Sequence, residues 1–197
     1  MDESRLPPRA DIPRRVGGDA EILTYVREGT IAYEDSTGHA GVIDTGEFQR
    51  MLTAHGARHS EANASRMGWA HVFQIRMCRS MPESEPGREQ RRFSAAQRRG
   101  GLCLVASPDA RAGSLRLGQD TRIYSALLEP GQHIVHELAP ERAAWLHVVQ
   151  GEVRLDNLDL ATGDGARITT ERAVSLTARE GCEILLLDVA KSKSNGA

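Results

Sequence analysis

The sequence predicts an all-β chain built as two small antiparallel β-barrels. Three observations carry this expectation: evenly spaced strand-like runs, an internal repeat, and a polar segment between the repeated halves. Runs rich in Ile, Val, Leu and Thr recur as EILTYV (21–26), GVI (41–43), HVFQIRM (71–77), RIYSALL (122–128), WLHVV (145–149) and EILLLDV (183–189). Gly, Asp and Ser turns separate them, and no window gives an amphipathic helix longer than a few turns. Many short strands at regular spacing indicate a barrel or a sandwich.

The repeat divides the chain in two. YVREGTIAYE (25–34) is followed by DTGEFQRM (44–51), and HVVQGEVRLD (147–156) by ATGDGARI (161–168). Each reads as strand, Gly turn, strand, Thr-Gly-acidic turn, strand, so two copies of one small β-barrel are expected rather than one continuous sandwich. Taken in order, residues 1–17 read as an irregular arm rich in Arg and Pro, 18–78 as the first barrel, and 79–101 as a charged, Pro/Gly-containing linker. Residues 102–189 read as the second barrel and 190–197 as a disordered tail.

At 197 residues the chain is long enough for a real core, burying roughly 70% of its unfolded surface. With 25 Lys and Arg against 27 Asp and Glu, the net charge of −2 gives no electrostatic case for direct nucleic-acid or membrane-surface binding. Three scattered cysteines, Cys78, Cys103 and Cys182, form no C-x-x-C pair, which argues against a disulfide scaffold or a zinc-thiolate site. There is no membrane-length apolar run and no signal-peptide core in MDESRLPPRADIPRR, so a cytoplasmic location is expected.

One stretch carries chemistry. In AHGARHSEAN (54–63), His59 and Glu61 stand two residues apart just after Gly56. On a strand, side chains alternate with a period of two, so both point to the same face. Imidazole and carboxylate on one inward face look like half of a metal site.

The segments GDAEILTYVREGTI (18–31), GEFQRM (46–51), HGARHSEAN (55–63), QIRM (74–77), REQRRF (88–93), ASPDARAGSLRLGQD (106–120) and WLHVVQGEV (145–153) resemble the pirin family of bicupins. The resemblance runs from about residue 18 to 189, with blocks from both halves in register. It implies two cupin (jelly-roll) barrels with a single metal site, of iron or another divalent metal, in the N-terminal one. Some pirin-like proteins are metal-dependent quercetin 2,3-dioxygenases; others act with transcription regulators or metabolic enzymes.

The family's metal site uses an H-x-H pair followed by a histidine and a glutamate in H-S-E. His59 and Glu61 match the second pair, whereas Arg15 and Gly17 occupy the positions of the first, with Asp19 and Glu21 keeping the rest of that motif. Glycine offers no donor, and a fixed guanidinium charge opposes a divalent cation. Glu21 and His55 are the candidate substitute ligands. In the second half the matching positions are Glu137, Ala139, Ala143 and Leu176, which form no ligand set.

Pirin-like chains carry several tens of residues of strand before the H-x-H segment, so residues 1–17 predict an incomplete first barrel with an exposed sheet edge. A homodimer or protein partner is expected to cover it. Two functions follow. The first is a degenerate, non-catalytic binding or regulatory member of the family. The second is a metal-dependent quercetin 2,3-dioxygenase with a rearranged metal site and a flavonol-like substrate.

Overall fold

The computed structural model describes residues 1–12, 20–36, 38–52, 59–78 and 87–191, and they divide into two compact units. The first comprises residues 1–93 together with 115–119; the second comprises 94–114 and 120–197.

In the first unit, the five-stranded sheet runs in the order β1 (Asp2–Leu6), β7 (Ala70–Cys78), β2 (Ala20–Glu28), β5 (Glu47–Leu52), β8 (Gly87–Arg92). A three-stranded sheet is ordered β4 (Ala40–Asp44), β3 (Thr30–Asp35), β6 (His59–Asn63). Every pairing between these strands is antiparallel. Leu6, Val26, Ala70 and Val72 from one sheet pack with Ile31 and Ile43 from the other, so the inward faces meet in a barrel-like sandwich. Burying each of these large aliphatic side chains contributes about 1.5–3 kcal/mol.

The second unit repeats the plan. Its strands β9 (Cys103–Ser107), β11 (Thr121–Leu128), β18 (Cys182–Ala190), β13 (Arg142–Gln150) and β16 (Gly165–Ile168) lie side by side in that order, while the two-residue β10 (Leu115–Arg116) falls among the residues of the first unit. The facing sheet is ordered β12 (His133–Glu137), β17 (Ala173–Ala178), β14 (Glu152–Leu155), β15 (Leu158–Ala161). Its interior is apolar, with Leu146, Val148, Val153, Leu176, Ile184 and Leu186 among the buried side chains.

The repeated glycines explain why both halves fold alike. Gly29 and Gly151 adopt φ of +80° and +88°, and a Cβ there would lie 2.7 Å from the Trp69 carbonyl oxygen or 2.5 Å from that of Gly181. Only glycine relieves both the left-handed backbone and the close approach. The Gly46 and Gly163 amides each donate, at 2.8 Å, to the carbonyls of Val26 and Val148. A register shift falls at the matching place in each half, Val26/Glu28 and Val148/Gln150.

Four expectations are corrected. Residues 1–17 are not wholly irregular: Asp2–Leu6 forms β1, paired along β7 from Asp2↔Gln74 to Leu6↔Ala70. The β6 edge is covered rather than open, because the Ile12 amide donates to the Glu61 carbonyl at 2.8 Å and the Asn63 amide to Ala10 at 2.9 Å. Residues 10–12 thus occupy the place beside β6 that β12 occupies beside β17. The segment expected as a linker contains β8, paired with β5, and a short helix, α1 (Ala95–Arg98), whose Ser94 and Gln97 form a reciprocal capping box. The expected tail begins in regular structure, since β18 runs through Ala190; residues 192–197 lie outside the described residues.

Candidate functional site

The register of the first barrel sorts its inward side chains into layers. Ile31, Tyr33 and Asp35 of β3 share a face with Asn63, Glu61 and His59 of β6, paired Ile31↔Asn63, Tyr33↔Glu61 and Asp35↔His59. On the facing sheet, Val26, Thr24 and Ile22 share a face with Val72, Gln74 and Arg76. The floor therefore carries Ile31, Val26 and Val72 beside Asn63, whose amide is spent on the Leu6 and Gly68 carbonyls, and polarity rises from it along β3 and β7.

Glu61 and Gln74 join the two sheets. Glu61 is 4% exposed, and Gln74 Nε2 donates to its Oε2 at 2.6 Å while also approaching Thr24 Oγ1 at 3.3 Å. Among the described residues nothing donates to Glu61 Oε1, although that atom is buried. Burial pushes the Glu61 carboxyl above the ordinary carboxylate range; the Gln74 hydrogen bond and the charges of Arg88 and Arg76 oppose it. A buried acceptor lacking a donor is an opening for one.

Arg88, from the segment read as linker, reaches the same interior. Its NH1 donates to Gln49 Oε1 at 2.9 Å, its guanidinium lies 4.3 Å from the Tyr33 ring centroid, and its Nε stands 3.5 Å from Asp35 Oδ2. Tyr33 itself is seated over Gly41, where a Cβ would fall 2.6 Å from the phenol oxygen. Arg76 shares the inward face; its Nε is buried without an acceptor among the described residues, 4.0 Å from Asp2 Oδ2.

The sequence-predicted ligands separate. His59 and Glu61 do share the inward face, with His59 at the outer layer opposite Asp35. Glu21 does not join them: three residues from Thr24 along β2, it projects from the opposite face. There it is fully buried, accepting from Arg50 Nε at 2.7 Å and from the Gly118 amide at 3.0 Å on each carboxylate oxygen. Its role as a substitute ligand is corrected on that geometry, since both oxygens are committed to a cation and a backbone donor. His55, Arg15, Gly17 and Asp19 lie outside the described residues.

Among the described residues no three His, Cys, Asp or Glu side chains converge, and the two that share a face have two guanidinium charges for neighbours. An open catalytic metal site needs three or four protein donors. What sequence reasoning missed is Arg76, Arg88, Gln49 and Gln74. The alternation Arg88, Gln90, Arg92 was the available signal, a period-two pattern written in polar residues.

Two repeated antiparallel barrels, one with polar side chains beside its apolar core and one with an apolar interior, define a two-cupin protein. Comparison with known proteins agrees: residues 2–77 match the Pirin family model and residues 104–189 match that of the quercetinase C-terminal cupin domain. The quercetin 2,3-dioxygenase of Escherichia coli K12 is 44% identical over 174 residues, covering 87% of this chain and 73% of that protein. A pirin-like protein of Caulobacter vibrioides is 30% identical, covering 96% of this chain and 82% of that protein. Among solved structures, E. coli YhhW superposes with a TM-score of 0.84 at 40% identity, covering 93% of this chain and 76% of that one. The bacterial pirin YhhW in complex with nickel(II) gives 0.85 at 36%, covering 96% and 81%. The chain belongs to the pirin family. A divalent metal is thus bound by a solved member, and quercetin 2,3-dioxygenase is the name of a relative.

Proposed function

We propose that this protein is a degenerate, non-catalytic member of the pirin family, a cytoplasmic binding or regulatory protein that uses its first barrel as a pocket. The observation that carries the reading is the fate of Glu21, locked between Arg50 and the Gly118 amide. With Arg15 and Gly17 at the H-x-H positions, His59 and Glu61 are the family donors that remain. Iron or another divalent metal is accordingly weak or absent as a resident cofactor. A protein partner or a second copy of the chain is the expected recipient of a regulatory role.

The second reading is a metal-dependent quercetin 2,3-dioxygenase with a rearranged site and a flavonol-like substrate. The buried, undonated Oε1 of Glu61 beside His59 favours it, with His55 as the additional candidate donor. Metal analysis of protein purified from iron- and nickel-supplemented medium, without chelator, separates the two. Metal well below about a tenth per chain, with no oxygen consumption on quercetin, supports the binding protein. Near one metal per chain, lost in His59→Ala, together with oxygen consumption on quercetin, supports the second reading instead.

A further inference from the structure

We propose that the mouth of the first barrel is a binding site for a small hydroxycarboxylate, gripped by Arg76 and Arg88 and oriented by Glu61. The inference deepens, and rests on, the non-catalytic reading above. It begins from an imbalance of donors and acceptors on one inward face.

Arg88 and Arg76 bring ten guanidinium N–H donors between them. Among the described residues, Arg88 spends one on Gln49, at 2.9 Å. Its carboxylate neighbour Asp35 stands at 3.5 Å and that of Arg76, Asp2, at 4.0 Å, both beyond good hydrogen-bond length. Arg76 Nε is buried with no acceptor. The Arg76 and Arg88 side chains remain 26% and 15% exposed, so solutes can reach them while water solvates them poorly. Cations held this way on an inward face favour an anion, and the planar fork of arginine matches a carboxylate in bidentate fashion.

Glu61 supplies the second half of the specificity. Its Oε2 takes the Gln74 amide, and its Oε1 needs a donor. A ligand oxygen carrying a bare negative charge would be repelled there, whereas a hydroxyl would donate to it. Tyr33 under the Arg88 guanidinium and Gly41 under Tyr33 hold the grip in place. A carboxylate for the arginines and a hydroxyl for Glu61, on one small molecule, satisfy all of these groups together.

The test is isothermal titration calorimetry on the full chain with L-malate, with succinate, which lacks the hydroxyl, and with inorganic phosphate. Malate is expected to bind one per chain at least about tenfold more tightly than succinate or phosphate. Arg76→Gln should weaken malate at least about tenfold, with Arg76→Lys between it and the parent. Circular dichroism and a melting curve confirm that each variant is folded. Malate no tighter than succinate, a Kd weaker than about 1 mM, or equal affinity in folded Arg76→Gln would overturn the inference. A parallel titration with nickel chloride separates the levels. One nickel per chain overturns the non-catalytic reading and this inference with it, whereas failure of malate without nickel binding overturns this inference alone.

Discussion

Replacing Arg50 by Met tests whether Glu21 is a structural carboxylate. The substitution keeps an unbranched apolar stem and removes the guanidinium that donates to Glu21 Oε1 at 2.7 Å. Glu21 is 0% exposed, so the carboxylate cannot recover its hydration, and among the described residues only the Gly118 amide still donates to it. Breaking a buried ion pair by removing one partner costs about 3–5 kcal/mol. The lower end applies, because the Gly118 bond survives and the Arg50 side chain is 15% exposed and was never fully desolvated. For a chain of this size about 3 kcal/mol lowers the melting temperature by about 6–12 °C. Scanning calorimetry reads that shift directly. The paired variant Glu21→Leu with Arg50→Met, which leaves no charge behind, should return to within about 1 kcal/mol of the parent. A single variant within about 0.5 kcal/mol of the parent would refute the reasoning, since it would mean that the carboxylate does not depend on Arg50.

Gly41→Ala should cost about 1–3 kcal/mol in urea denaturation, because the new methyl falls on the Tyr33 phenol; an unchanged midpoint would show that Tyr33 moves freely. In the second barrel, burial pushes the Asp188 carboxyl up, but hydrogen bonds from His136 and Arg142 and their charges outweigh it and hold the group below the usual carboxylate range. Its contribution is therefore present above the unfolded value of about 3.9 and is lost as pH falls through the lower folded value. The stability gap between parent and Asp188→Asn should be full at neutral pH and shrink below about pH 4; a gap constant down to strong acid would contradict this. Burial raises the Cys182 thiol to about 11, whereas Cys78 is exposed. Iodoacetamide near neutral pH should label Cys78 and spare Cys182 until denaturant is added, as mass spectrometry of the peptides would show.

The strands missed in the sequence share one physical cause. β8 reads as linker because its inward residues, Arg88 and Gln90, cover a polar surface through Gln49, Glu47 and the Val42 carbonyl rather than an apolar one. Hydrophobic alternation, the signal by which strands are found, is absent where the barrel interior is itself polar. β1 is missed similarly: of Asp2, Ser4 and Leu6 on its inward face, only Leu6 is an apolar core residue. The 10–12 segment has no strand pattern, being held by two backbone hydrogen bonds to β6.

By itself the sequence determined the two-barrel plan, through paired glycine turns at Gly29 and Gly151 that no other residue can occupy and through the apolar faces of β2, β7, β13 and β18. It also determined that His59 and Glu61 share a face, because strand periodicity is local. Tertiary structure alone decided what those two residues meet. Glu21 is claimed by Arg50, 29 positions away, and by the Gly118 amide, 97 positions away. Glu61 is joined to Gln74 across the barrel and lies in the field of Arg76 and Arg88. Electrostatic partners are chosen by proximity in space and by exclusion of water, and neither is written in the spacing of residues along a strand.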